Sequence, residues 1–234
     1  MSKSFFNIIC NASICVMLTI VFCFAYTTEV RGVFFQNKSE PYYNGNVSKN
    51  NVSLMINVYW GNEYIESMLK TLKDNGITTT FFVGGSWVNG YPELFSQIVA
   101  DGHEIGNHGY SHKDHAKLNY EQNQSEIHVC HQSVKTHANI EMTLFAPPSG
   151  AFNSTTLDVA KNMNYRVIMW TRDTIDWRDH NTELIVQRAT KKMKNGDLIL
   201  MHPTKNTMEA LPQIIDYCNK NSFNITTVSR CLDA

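Results

Sequence analysis

The sequence predicts an α/β fold, a distorted parallel barrel of the (β/α)7 kind, on two observations. First, short apolar runs alternate with amphipathic stretches from residue 52 to the C-terminus, and this alternation is typical of parallel strands joined by right-handed helical crossovers. Second, no glycine-rich phosphate loop opens any predicted helix. An open doubly wound sheet is therefore the second choice of architecture.

The strands and helices follow from these runs in order. Strands are predicted near residues 52–58, 78–84, 104–109, 143–148, 166–171, 198–202 and 224–228. Helices are predicted over residues 64–76, 91–102, 125–137, 154–163, 182–194 and 207–220. The second helix has Pro92 in its first turn and stops at Gly102. Thr182, and either Asn153 or Ser154, are the predicted N-caps of later helices.

The N-terminal part of the chain is predicted to lie outside this fold. Lys3 precedes a charge-free run over residues 8–26, which is long enough to span a bilayer as a helix. We expect residues 1–30 to be a signal peptide or an N-terminal membrane anchor. Residues 31–51 are predicted as a polar tether and residues 52–234 as the globular domain. An exported protein, anchored in the membrane or facing the cell wall, is expected.

Composition bears on two further points, the binding of nucleic acid and the state of the cysteines. The formal net charge is −1, so we expect no electrostatic binding of nucleic acid. Outside the N-terminal segment the cysteines are Cys130, Cys218 and Cys231, and their spacings fit no zinc motif. Free thiols are expected, with a single bridge between Cys218 and Cys231 as the alternative.

Polar residues collect where the predicted strands end. Asn57, His108 and His202 each follow or close a strand, and the stretch 172–177 follows another. In a parallel barrel these ends share one rim, where active sites lie. His108 and His112 form H-x-x-x-H, and on one helical turn both imidazoles could reach one ion. The pattern predicts a metal-dependent site.

Four blocks resemble the polysaccharide deacetylase family, the NodB-homology domain of carbohydrate esterase family 4. They are GHEIGNHGYSH (102–112), FAPPSG (145–150), DTIDW (173–177) and LMH (200–202), in the family's order and spacing. The resemblance covers roughly residues 52–232. Within the family, the chain is similar to exported or membrane-tethered members found in spore-forming bacteria. The resemblance implies a NodB-type barrel and removal of acetyl groups from an N-acetylated cell-wall glycan, peptidoglycan or chitin-like.

The resemblance also implies roles for individual residues. His108 and His112 would bind a divalent metal ion, often zinc in the family. His202 would be the general acid that protonates the leaving amine, and Asp176 would orient it. The backbone N–H of Ser149 would help to hold the oxyanion.

The remaining blocks supply a pocket and also show departures from the family. Trp177 and Leu200 would wall the acetyl pocket. The family's usual T-F-D-D-G provides the base and then a metal ligand, whereas this chain has Asn57 at the base position and Val58 at the ligand position. Ala146 replaces the arginine that positions the base.

Three functions remain open at this point. The first is a weak or unconventional deacetylase, since loss of a general base costs about 10² to 10⁴ in rate. The second is a catalytically inactive homologue that binds glycan or a protein partner. The third is a deacylase of another small amide or ester. Glu63 could offer a carboxylate to the ion, but a position favoured by the helix dipole is the preferred interpretation.

Overall fold

The computed structural model describes residues 12–23 and 40–233, and the chain divides into two compact units at residue 39. In the first unit, residues 12–23 form a helix, α1, whose side chains are exposed. The rest of the predicted 8–26 segment, and residues 31–39 of the predicted tether, lie outside the described residues. Among the helices that are described, none has both the length and the apolar character needed to cross a bilayer.

One parallel sheet organises the second unit. Its described strands are β1 (Asn51–Val58), β2 (Thr80–Val83), β3 (Glu104–Asn107), β4 (Leu144–Phe145), β5 (Arg166–Val167), β6 (Arg172–Asp173), β7 (Leu198–Met201) and β8 (Asn224–Ile225). The order is β5-β4-β3-β2-β1-β7-β6, and β8 pairs with the start of β1. Followed as a ring, this order runs consecutively, with its opening between β5 and β6. A doubly wound sheet reverses direction at its centre, so the predicted distorted (β/α)7 barrel is confirmed.

Helices and short turns connect the strands. They are α2 (Asn62–Asp74), α3 (Gly85–Gly90), α4 (Pro92–Ala100), α5 (Tyr120–Ala138), α6 (Ser154–Asn162), α7 (Thr182–Thr190), α8 (Lys205–Lys220) and α9 (Val228–Asp233), with 3-10 turns at His115–Lys117 and Pro148–Gly150. Asn153 caps α6 as predicted, accepting the N–H of Thr156 at 3.0 Å. The predicted cap Thr182 is wrong: Asn181 caps α7, because the Thr182 hydroxyl bonds to Glu209 on α8 instead.

Side chains on the strands alternate between two apolar layers, one between the sheet and the helices and one inside the barrel. On β1, Leu54, Ile56 and Val58 belong to the layer between sheet and helices, while Met55 belongs to the barrel interior. The interior cluster is completed by Phe82, Leu144, Ala146, Ile168 and Leu198, and it is closed at one end by Val228 and Cys231 of α9. Cys130, Cys218 and Cys231 are all buried free thiols, so the alternative Cys218–Cys231 bridge is absent from the described part of the chain.

The connection from β5 to β6 differs from the predicted strand over residues 166–171. The chain leaves β5 after Val167 and returns as β6 without a helix between them. In the new register Arg172 stands opposite Ile199, and Asp173 stands opposite Leu200. Arg172 anchors this connection by an ion pair with the buried Asp197. The crossing of the barrel opening brings the segment 173–177 to the rim.

The start of the globular unit also differs from the predicted tether. The N–H of Tyr42 donates to Val167 at 2.8 Å, and that of Gly45 donates to Gly196 at 2.7 Å. Residues 42–46 therefore belong to the hydrogen-bonded structure of the second unit, which starts before residue 52. They add isolated bridges and no continuous strand to the sheet, which agrees with the absence of a strand period in their sequence.

Candidate functional site

A cavity of about 490 Å³ opens at the C-terminal ends of the strands. It is lined by Asn57, Tyr59, Trp60, His108, His112, Ser149, Gly150, Trp170, Asp173, Trp177, Leu200 and His202. Seven of the eight residues predicted as site residues therefore meet in one place, although they come from distant blocks. The eighth, Asp176, is fully buried behind His202.

His108 and His112 lie in the loop that follows β3, and they are not on a helix. The helical reason for their pairing is therefore wrong. Gly109 (φ 70°) and His112 (φ 55°) both adopt the left-handed region, and these two turns bring the imidazole rings to 5.1 Å between centroids. Such a backbone conformation is costly for a non-glycine residue and tends to occur at functional sites.

Burial keeps both imidazoles neutral. It lowers the pKa of His108 to about 3, with a further contribution from neighbouring His112. Burial also lowers the pKa of His112. The Nδ1 of His108 lies 2.7 Å from the Ala146 carbonyl, which accepts its hydrogen and leaves Nε2 with a free lone pair. A backbone carbonyl in this position is a frequent second partner of metal-binding histidines.

The loop that carries the two histidines is fixed by α5. The Oε2 of Glu126 accepts the backbone N–H groups of Tyr110 (3.0 Å) and Ser111 (2.7 Å), and its Oε1 lies 3.0 Å from Lys113 Nζ. Beneath the loop, His115 Nδ1 lies 2.7 Å from Asn123 Oδ1. The position of the histidine pair thus depends on a helix that does not line the cavity.

His202 and Asp176 form the hydrogen-bonded pair that the resemblance implied. Nδ1 of His202 lies 2.8 Å from one carboxylate oxygen of Asp176. The other oxygen accepts the backbone N–H of His202 at 2.6 Å and the hydroxyl of Thr207 at 2.6 Å. Since Asp176 is completely buried, these donors satisfy its charge. They fix the imidazole with Nε2 free.

The two residues that the resemblance matches to the base and to the metal ligand, Asn57 and Val58, face opposite ways. Asn57 is 4% exposed and lines the cavity, and its Oδ1 has no hydrogen-bond partner within the described structure. Val58 is fully buried in the layer between sheet and helices, as expected from strand alternation. Ala146 is also fully buried, in the barrel interior. The cavity therefore contains a neutral amide at position 57, which the resemblance matches to the family's base.

Aromatic rings form much of the cavity wall. Trp60 stacks on His202 with 5.7 Å between ring centroids and 8° between planes, and Tyr59 packs against His112 at 4.9 Å. Trp60 and Trp177 are 42% and 53% exposed, whereas Leu200 is 4% exposed. The two predicted wall residues thus differ: Leu200 is a buried wall and Trp177 stands at the open rim.

Comparison with known proteins agrees with this geometry. A family model described as polysaccharide deacetylase matches residues 44–168, more than half of the chain. The chain belongs to the polysaccharide deacetylase family. It is 38% identical to the uncharacterized protein YlxY of Bacillus subtilis, over 83% of this chain and 61% of that protein. It is 31% identical to a peptidoglycan-N-acetylglucosamine deacetylase of Bacillus cereus, over 72% of this chain and 82% of the relative. The chain thus spans less than two thirds of the first of these relatives.

Among solved structures, the polysaccharide deacetylase fold of this chain is similar to BA3943 of Bacillus anthracis, which is described as a family 4 carbohydrate esterase pseudoenzyme. The TM-score is 0.81 at 34% identity, and the match covers 83% of this chain and 69% of that one. A mutant of BA3943 described as having restored enzymatic activity matches with the same TM-score. The family fold therefore occurs with and without catalysis.

The residues of the cavity provide only part of a binding site for the metal ion that this family generally uses. Among the described residues there is no group of three or more His, Cys, Asp or Glu side chains placed to hold an ion. His108 and His112 offer two nitrogen ligands, and Val58 points away from them. Catalytic zinc sites use three protein ligands and one open position. The described residues therefore provide one protein ligand fewer than such a zinc site needs.

Sequence reasoning missed five lining residues: Tyr59, Trp60, Gly150, Trp170 and Asp173. Asp173 belongs to the block DTIDW, but the predicted strands include none at residues 172–173, so no register places its side chain. Tyr59 and Trp60 directly follow Val58, at the rim where polar residues were sought. No motif includes them, and their position at the end of β1 exposes them to the cavity.

Proposed function

We propose that this polysaccharide deacetylase domain binds an N-acetylated cell-wall glycan, peptidoglycan or chitin-like, in the strand-end cavity without efficient turnover. The observation that carries the proposal is the identity and orientation of two residues at the C-terminal end of β1. By the resemblance Asn57 stands at the base position, as a neutral amide; it lines the cavity, while Val58 turns its side chain into the core. The cavity and its aromatic walls are nevertheless intact.

The chemistry of amide hydrolysis explains why these two positions matter. Water must lose a proton as it attacks the acetyl carbonyl, and the departing amine must gain one. His202, oriented by Asp176, is placed to supply the second proton. An amide at position 57 cannot accept the first. A missing base lowers the rate by about 10² to 10⁴.

A weak, metal-dependent N-deacetylase is the second candidate. The complete hydrogen bonding of Asp176 to His202 and Thr207 favours it, because nothing in glycan binding alone requires an oriented imidazole. A divalent ion, zinc by family resemblance, would be held by His108 and His112 and would polarise the acetyl group. With two protein ligands, we expect it to be held weakly.

Substitution at position 57 separates the two candidates. Asn57→Asp preserves shape and restores a base, so we expect acetate release from N-acetylglucosamine oligomers to rise at least about tenfold. The double variant with Ala146→Arg should exceed the single one, because an arginine would orient the new carboxylate. Acetate is measured by an enzyme-coupled assay with zinc present.

The matched control is Asn57→Ala, which should gain nothing. Parental turnover that already equals that of Asn57→Asp would overturn the glycan-binding proposal in favour of an active enzyme. Hydrolysis of aryl acetates alone would instead indicate a deacylase of small esters. Failure of the parent to bind any oligosaccharide would favour a protein partner for the cavity.

We further propose that the domain is exported and held at the membrane by its N-terminal segment. The support is the charge-free run over residues 8–26 behind Lys3. A cell-wall glycan is accessible only on that side of the membrane. The globular unit Glu40–Ala234 would then face its polymer.

A further inference from the structure

One carboxylate of the cavity wall has no role in the proposed chemistry. Asp173 lies in β6 opposite Leu200 of β7, and both line the cavity. Its Oδ1 accepts the backbone N–H of Ile175 at 2.8 Å. That contact uses a small part of the hydrogen-bonding capacity of a carboxylate. The remaining capacity is available to a ligand.

The positive charges near Asp173 are engaged elsewhere. No lysine or arginine is among the described residues that line the cavity. Arg172 pairs with Asp197, and Arg178 pairs with Asp179 at 2.9 Å. Arg178 also lies 5.9 Å from the centroid of the Trp177 ring and is near enough to Asp173 for electrostatic attraction, but its hydrogen-bonded partner is Asp179. Any charge on His202 is offset by the carboxylate of Asp176. The cavity wall therefore presents a net negative charge.

Aromatic faces surround the same space. Tyr59, Trp60, Trp170 and Trp177 all line the cavity with Asp173. Indole and phenol rings attract cations over their faces, and aromatic cages are a recurrent way to recognise ammonium groups. One face of Trp60 is covered by His202, and Arg178 lies over the Trp177 ring. The ring faces that still border the cavity, combined with a carboxylate that has no ion-pair partner among the described residues, favour a cationic ligand over a neutral or anionic one.

We propose that the cavity preferentially binds the de-N-acetylated form of the glycan, a hexosamine polymer with protonated free amines. This inference rests on the proposed glycan binding and adds an order of affinity to it: the N-acetylated glycan is bound, and its de-N-acetylated form is bound more tightly. An acetamido group is neutral and gains nothing from Asp173, whereas an ammonium gains both the carboxylate and the ring faces. Sugars that carry a free carboxylate are disfavoured by the same charge. The ligand is thus of the class that a deacetylase releases as product.

Calorimetric titration of the full-length chain tests the preference. The probes are glucosamine oligosaccharides and N-acetylglucosamine oligosaccharides of equal length, at mildly acidic pH and with a chelator to remove metal ions. We expect the amine form to bind about tenfold more tightly. Asp173→Asn, which keeps the acceptor for Ile175, should bring its affinity down to that of the acetylated form.

Asp158→Asn is the matched control, because Asp158 is exposed on α6 and outside the cavity; it should retain the preference. Equal binding of both sugars by the parent overturns this inference and leaves the proposed glycan binding standing. A preference that survives Asp173→Asn overturns it as well. Binding of neither sugar removes both proposals together.

Discussion

The adjacent residues Asn57 and Val58 show how strand geometry decides which substitutions matter at a site. Successive side chains on a strand point to opposite faces, and here the first lines the cavity while the second is buried in the core. A valine is well tolerated in that layer, where it packs with apolar neighbours. Asn57 Oδ1, in contrast, is buried without a described partner, and an unsatisfied buried acceptor costs about 1–3 kcal/mol.

Metal binding by the two histidines can be tested by substituting these individual residues. His108 and His112 are neutral because burial lowers the pKa of both, so neither must lose a proton to bind an ion. We expect the full-length chain to bind a divalent ion weakly, and His108→Ala with His112→Ala to abolish binding. Metal content is measured by mass spectrometry after equilibrium dialysis against zinc.

The control for that experiment is a double variant of exposed histidines, His128→Ala with His180→Ala, which should retain the ion. Zinc that persists in stoichiometric amount after loss of His108 and His112 would show that the ion is held elsewhere. In that case the assignment of these two ligands would be withdrawn.

Among the elements, α5 determines the shape of the histidine loop from outside the cavity. Burial alone would raise the pKa of Glu126, but hydrogen bonds from the loop backbone and from Lys113 more than offset it and hold that pKa below its ordinary value. The side chain is 6% exposed. The ionised carboxylate thus ties α5 to the segment that carries His112.

Glu126→Gln should therefore destabilise the fold in a pH-dependent way. The pKa of the folded state is depressed, so the stabilisation is present above the ordinary glutamate pKa and is lost as pH falls through the folded value. We expect a loss of about 1–3 kcal/mol at neutral pH, shrinking in acid. Urea unfolding across this pH range measures it.

Glu121→Gln is the matched control, because Glu121 is exposed in the first turn of the same helix. It should change the free energy of unfolding little at any pH. An equal, pH-independent loss in both variants would mean that helix charge, and not the loop contact, is responsible.

At the scale of the whole molecule, the ring order of the strands gathers the site. Asn57, His108 and His202 follow or end β1, β3 and β7, and consecutive parallel strands point their C-terminal ends to the same rim. One cavity can therefore collect blocks that lie more than a hundred residues apart, a spacing evident from the printed positions. The opening between β5 and β6 admits the segment with Asp173 and Trp177.

The proposed location is also a property of the whole chain. A charge-free segment behind Lys3 should carry the domain across the membrane and retain it there. We expect fractionation of cells that express the full-length chain to place it in the membrane fraction, with the globular domain accessible to external protease. Deletion of residues 1–30 is the control and should leave the protein in the cytoplasm. Full-length protein recovered from the cytoplasm would remove the argument for a cell-wall ligand.

Sequence alone determined the class of fold and most of the lining of the site. Periodicity is a local property, and it placed the long strand β1 and the helices α2, α4 and α8 correctly. The family blocks carried His108, His112, Trp177 and His202 because their spacing encodes the positions of strand ends. These signals can be read from the sequence because each depends on residues close together in the chain.

Tertiary structure alone decided the remaining features. β6 has two residues, too few for a periodic signal, and its existence depends on pairing with β7 across the barrel opening. The cavity positions of Asp173 and Trp60, and the support of the histidine loop by Glu126, follow from such contacts. Strand alternation sets Asn57 and Val58 on opposite faces of β1, but which face meets the cavity is decided only when the barrel closes around a core. Long-range packing, rather than local preference, therefore determines what this cavity can bind.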